Sequence, residues 1–152
     1  MDQQLREPDL PRYGNFIGGQ EIAPSTGEYF PTENPYDGKV WAEIARGDAR
    51  DVDAAVTAAH AALNGAAWAS LTATQRGALL RRLADLIIEN APHLAAIEMR
   101  DNGKLAAEVT GQVRYLGDYY HYYAGLADKV QGAVIPTDKK GVFAYTKYEA
   151  KG

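Results

Sequence analysis

At Gly47 the hydrophobic period of this chain changes, and it stays changed as far as Gly132. Before that glycine, apolar residues alternate in short runs broken by turn residues. After it they recur at steps of three and four, the spacing that puts side chains on one face of a helix. The order is therefore short strands, then consecutive helices, then a last strand. A complete dinucleotide-binding domain would instead alternate strand and helix regularly.

In the strand-rich head, NFIGGQEIAP alternates around Gly18 and Gly19, which can take the positive φ of a tight hairpin turn. Strands are expected near 14–17 and 20–23. In YFPTENPYDGKVWAEIARG the turn signals Asn34-Pro35 and Asp37-Gly38 precede Val40, Ala42 and Ile44. That pattern reads as an extended segment, a turn and a strand at 39–45.

Asp48 is placed to cap the first helix, whose narrow stripe of Val52, Ala55, Val56, Ala59, Ala62 and Leu63 runs to the stop at Asn64-Gly65. His60 lies beside that stripe as a surface residue. Thr72 and Gln75 have capping-box spacing and open a second helix that buries Leu79, Leu80, Leu83, Leu86 and Ile87. On its outer face Arg81 and Asp85 are spaced to pair. Pro92 fits the first turn of a third helix carrying Leu94, Ile97 and Met99, ended by Asn102-Gly103. A short piece from Lys104 to Val109 and a break near Thr110-Gly111 lead to a tyrosine-rich helix over about 112–131, closed by Gly132.

That last helix divides its aromatics. Val113, Leu116, Tyr120, Tyr123, Ala127 and Val130 share one face and are core candidates. Arg114, Asp118, His121 and Asp128 lie opposite, where His121 is expected to partner Asp118. Tyr115, Tyr119, Tyr122 and Leu126 form a flanking stripe. Beyond Gly132, residues 142–148 alternate with apolar or aromatic side chains on both faces, so this strand needs a partner sheet.

Chemistry is scarce by residue type. The chain has 152 residues, a formal net charge of -4 and no cysteine, which excludes thiol catalysis, thiolate metal sites and disulfides on these residues. His60, His93 and His121 do not fall at metal-ligand spacing. Neither G-x-G-x-x-G nor G-x-x-x-x-G-K-[ST] occurs, and Ser25 and Ser70 stand in no nucleophile elbow. Asp51 and Asp53 sit at a helix start, where carboxylates are common without catalysis. Lysines and arginines are dispersed, which argues against nucleic acid and against the tyrosines as a base-stacking platform. The opening MDQQLREPDLPR has no apolar signal core, and no run of about 18 apolar residues occurs. With no disulfides to form, a cytoplasmic protein without a membrane partner is expected. From residues alone this is a soluble α+β segment with no recognisable catalytic centre.

The motif order adds a resemblance. FPTENPYDGKVWAEIARGDARDVDAAVTAAHAA, W-A-S-L-T-A-T-Q-R, L-L-R-R-L-A-D-L-I, E-M-R-D-N-G-K, Y-Y-A-G-L-A-D-K-V-Q-G and A-Y-T-K-Y-E occur in succession. From about Tyr13 to Gly152 the chain resembles the N-terminal part of the NAD(P)-dependent aldehyde dehydrogenases. The resemblance implies an α/β fold of which this is only the N-terminal portion: short strands, four helical segments packing on a sheet, and the terminal strand of an oligomerisation arm. It implies a division into a polar leader (1–12), the N-terminal part of the cofactor-binding domain (13–132) and the start of the arm (133–152).

In that family a cysteine thiolate attacks an aldehyde, hydride passes to NAD or NADP, and activated water releases the acid. The family's catalytic cysteine, general-base glutamate and most cofactor contacts follow the stretch matched here. These 152 residues alone are therefore expected to be inactive and to bind no cofactor, and homo-oligomerisation through the terminal strand is implied for the parent. The resemblance assigns a monovalent-cation site to Thr32, Glu33 and Asp101, with hard oxygen ligands, although Glu33 replaces an apolar residue. It assigns a substrate-tunnel lining to Tyr115 and Tyr119. Leu126 replaces a common tryptophan, and Ala150 replaces a proline, which frees a backbone donor. The alternative is a non-catalytic truncated paralogue acting as an assembly or interaction module.

Overall fold

The computed structural model describes residues 10–150; most of the polar leader, with Lys151 and Gly152, lies outside the described residues. The head forms a three-stranded sheet in the order β1-β5-β4, from β1 (Arg12–Tyr13), β4 (Tyr29–Glu33) and β5 (Val40–Ala45). β4 and β5 are antiparallel, whereas β1 runs parallel to β5, with Arg12 opposite Glu43. A separate hairpin joins β2 (Asn15–Ile17) to β3 (Gln20–Ile22). Its turn residues Gly18 and Gly19 both have positive φ, at 62° and 82°, as a two-residue turn matched to strand twist requires. The expected strands are thus present, and β1 is one that alternation over so few residues could not announce.

Helix α1 (Ala49–Asn64) starts at a reciprocal cap. The Asp48 carboxylate accepts from the amides of Arg50 and Asp51, and Asp51 accepts from the amide of Asp48 at 2.9 Å. Asp51 also accepts from the amide of Ser25 at 2.9 Å, which ties the helix to the loop after β3. Asp51 is buried at 7% exposure because it satisfies those amides, a structural role beyond that of an ordinary helix-start carboxylate. The helix ends at Gly65 with extended rather than left-handed backbone, and one short turn, α2 (Ala66–Ala69), follows. The stripe expected to be buried is open: Val52 and Val56 are exposed.

α3 (Ala73–Glu89), α4 (Ala91–Asn102) and α5 (Ala106–Leu126) pack mainly on one another, while α4 touches β4 and α1 touches β2. Thr72 and Gln75 make the expected capping box. The core consists of small residues: Ala91 and Ala95 of α4 and Val109 and Val113 of α5, with Ile87 and Met99 packed against them. α3 meets α5 through Gly77, where a Cβ would stand 2.7 Å from the Ala124 carbonyl oxygen, and through Ala84 facing Gly117. On α3 the buried line therefore passes through Gly77 and Ala84, leaving Leu79, Leu83 and Leu86 exposed.

Several expectations are corrected here. α5 has no break at Thr110-Gly111; the Thr110 hydroxyl bonds the carbonyl of Ala106 within a continuous helix, which ends at Leu126 rather than 131. Gly132 does not close it but lies against Thr146. The buried line of α5 is Val109, Val113, Gly117 and Ala124, with Tyr120 half-buried; Leu116 and Tyr123 are exposed and leave the core set. His121 Nε2 lies 3.2 Å from Asp85 of α3, so Asp118 is not its partner and Asp85 bridges two helices rather than serving Arg81. The terminal strand finds its partner within the chain: β7 (Ala144–Tyr145) pairs antiparallel with β6 (Val134–Ile135). Only two residues of 142–148 enter that ladder.

Candidate functional site

The two groups of expected site residues occupy different places. In the first, Thr32 comes from β4 and Asp101 from the last turn of α4. Gly103 ends that helix in the left-handed region at φ 73°, and a Cβ there would stand 3.3 Å from the Pro35 side chain. The helix end thereby abuts the β4–β5 turn, and the Thr32 hydroxyl donates to Asp101 Oδ1 at 2.7 Å. The register of β4 shifts between Thr32 and Glu33, a bulge that re-aims the chain at that point. Thus Thr32 and Asp101 are brought together, while Glu33 follows at the bulge with an exposed side chain. Nearby, the Lys104 ammonium bonds Glu98 and holds its carboxyl below the usual range.

The second group is on α5. A concavity of about 310 Å³ is lined by Tyr115, Asp118, Tyr119, Tyr122 and Tyr123. These positions follow one another at helical steps and face away from the Val113–Gly117–Ala124 line, so the tyrosines turn outward from the core. The rings of Tyr119 and Tyr123 lie 4.6 Å apart, and Tyr122 meets Tyr123 edge-on at 5.3 Å. Hydrogen bonding to Tyr123, reinforced by its charge repulsion, pushes the Tyr119 phenol above the ordinary tyrosine value, so it stays neutral. Tyr115 and Tyr119 thus share one surface, joined by Tyr123, which the periodicity had assigned to the core.

A third feature was missed. Arg100 of α4 stacks over the Trp41 ring at 5.6 Å, between a cavity of 330 Å³ that includes Asn34 and Lys39 and one of 280 Å³ that includes Tyr13 and His93. The residues concerned are far apart in sequence, and no local spacing links them. Among the described residues no group of three or more histidines and acids could hold a metal ion.

The Aldehyde dehydrogenase family model matches residues 22–152. The chain belongs to the aldehyde dehydrogenase family. Its aldehyde dehydrogenase relatives include human mitochondrial aldehyde dehydrogenase, 45% identical over 130 residues, covering 81% of this chain and 24% of the human protein. Another relative is the (Z)-2-((N-methylformamido)methylene)-5-hydroxybutyrolactone dehydrogenase of Acinetobacter baylyi, 45% identical over 123 residues, 81% of this chain and 25% of that protein. The NAD+ complex of Bacillus cereus aldehyde dehydrogenase superposes with a TM-score of 0.86 at 35% identity, covering 91% of this chain and 28% of that one. The chain thus spans about a quarter of the length of the relatives it matches, and it corresponds to an N-terminal portion of the family fold. A betaine aldehyde dehydrogenase of Staphylococcus aureus that the chain also matches, with a TM-score of 0.77 at 30% identity over 86% of this chain and 26% of that one, is likewise in complex with NAD+. No described helix is long and apolar enough to cross a membrane.

Proposed function

We propose that this chain supplies the N-terminal framework of an NAD(P)-dependent aldehyde dehydrogenase: a leader (1–12), part of the cofactor-binding domain (13–132) and the start of an oligomerisation arm (133–152). One observation carries the reading. The buried core is built from alanines and valines, while Val52, Val56, Leu79, Leu83 and Leu86 lie exposed on α1 and α3. Faces of that kind fit helices that pack on further structure, such as the longer relatives would supply. The parent would oxidise an aldehyde to an acid in the cytoplasm.

The residues present do not fit a nicotinamide dinucleotide site by themselves, because neither G-x-G-x-x-G nor G-x-x-x-x-G-K-[ST] occurs to cradle its phosphates. Separately, with no cysteine, no thiohemiacetal with an aldehyde can form on these residues. No catalytic step is assigned to this chain. Intact mass and an NAD-reduction assay with mixed aldehydes test this; turnover by a protein of 152 residues would overturn it.

Two site assignments go with the reading. Thr32, Glu33 and the Asp101 carboxylate would offer oxygen ligands to a monovalent cation, supported by the Thr32–Asp101 approach. Tyr115 and Tyr119 would line the substrate entrance, supported by their outward-facing concavity. Potassium should raise the melting temperature relative to a bulky cation, and Asp101→Ala should abolish the difference. The exposed Phe143 and Tyr145 of the terminal hairpin favour the second reading, an assembly module, and fit homo-oligomerisation of the parent.

A further inference from the structure

We propose that the tyrosine face of α5 binds a small organic cation, an alkylammonium or quaternary ammonium group, with Asp118 as its counter-charge. The inference rests on the reading that this face meets small molecules, and it adds their chemical class.

The concavity is lined by four phenol rings and one carboxylate, with no lysine or arginine among its walls. Phenol faces carry negative quadrupole potential and attract alkylated ammonium groups, whose spread charge is easily desolvated. Asp118 has no ion-pair or hydrogen-bond partner among the described residues. Arg114, one helical turn earlier, makes no ion pair with it either, which leaves the carboxylate available to a ligand. The same carboxylate disfavours the other classes. A phosphate or carboxylate ligand would be repelled, and a purely apolar segment laid over the face would strip water from an unpaired charge. A cation with apolar substituents satisfies the rings and the carboxylate together.

The test uses the 152-residue chain. Tyrosine ring resonances are followed by NMR during titration with tetramethylammonium chloride, with sodium chloride at equal ionic strength, and with neopentyl alcohol, a water-soluble neutral analogue with carbon in place of the charged nitrogen. Saturable shifts confined to Tyr115, Tyr119, Tyr122 and Tyr123 are expected with tetramethylammonium alone. Asp118→Asn should weaken them about fivefold, the effect of one charge at close range in water. Because Asp118 is exposed, the variant should keep its circular dichroism spectrum. Equal binding of the neutral analogue, or an unchanged affinity in Asp118→Asn, would overturn the cation inference and leave the substrate-entrance reading standing. If neither compound shifts the tyrosines, both fall.

Discussion

Gly77 of α3 and Ala124 of α5 touch through backbone: a Cβ on the glycine would lie 2.7 Å from the alanine's carbonyl oxygen. The two helices can approach this closely only because one contributes no side chain at the crossing. Gly77→Ala therefore has to push backbone rather than a flexible side chain. It should destabilise by about 1–3 kcal/mol, although alanine is the better helix former. Gly111, inside α5 with nothing within 4 Å of its would-be Cβ, is the matched control. Gly111→Ala should stabilise by about 0.4–1 kcal/mol. Urea denaturation of both variants checks the pair, and equal effects would mean that the crossing is not what limits position 77.

The outward orientation of the tyrosines gives a second contrast. Val113 is 3% exposed and sits between α4 and α5, whereas Tyr115 is 65% exposed. Val113→Ala should cost about 2 kcal/mol despite removing few atoms. Tyr115→Ala should stay within about 0.5 kcal/mol of the unaltered chain. Tyr123→Ala loses its contacts with Tyr119 and Tyr122, and about 1 kcal/mol is expected. A loss at Tyr123 larger than at Val113 would return that tyrosine to the core.

These contrasts mark where the sequence was legible. Caps and turns rest on interactions within a few residues, so Asp48, Thr72, Gly18-Gly19 and Gly103 could be read directly, and the helices followed from their period. Helix faces were harder. Periodicity locates an apolar stripe but does not say which of two adjacent stripes meets a neighbour, and on α3 and α5 the contact fell on glycine and alanine rather than on leucine and tyrosine. The supposed break at Thr110-Gly111 overweighted one glycine in a helix whose flanks are sound. At the candidate sites, Thr32 and Asp101 became adjacent only through the docking of α4 on the β4–β5 turn. The Trp41–Arg100 stack had no local signal at all.

The α1 cap predicts a pH dependence. The Arg50 guanidinium first, and the Ser25 hydroxyl second, hold the Asp48 carboxyl well below the ordinary aspartate value of 3.8. A depressed folded-state value means that the cap's contribution is complete above the unfolded value. It is lost as pH falls through the folded one, so stability should decline with acid below about pH 5. Asp48→Asn keeps an acceptor for the helix amides but cannot gain the proton, so its stability should fall less steeply over the same interval. Glu98, held down by Lys104, and Asp128, held down by Lys129, should add to the slope in the same direction. Urea midpoints measured through the acid range compare the two proteins. Superimposable pH profiles would show that the Asp48 cap is not a source of the acid sensitivity.

The terminal hairpin makes the last prediction. β6 and β7 share two residue pairs, and the Ala133 amide donates to the Thr146 hydroxyl at 2.8 Å while the Thr146 amide donates to the Ala133 carbonyl at 2.9 Å. Around this short ladder Phe143, Tyr145 and Tyr148 are all more than half exposed, and the rings of Phe143 and Tyr145 lie 5.8 Å apart. A two-stranded ribbon with unpaired edges and an open aromatic face is marginal in water and a ready template for another strand. The 152-residue chain should therefore self-associate as its concentration rises. Phe143→Lys, which places charge on the aromatic face without touching the Ala133–Thr146 bonds, should shift it toward monomer. Sedimentation velocity over a range of concentrations checks both statements. A chain that stays monomeric throughout, or a Phe143→Lys variant that associates as readily, would remove the hairpin as the contact.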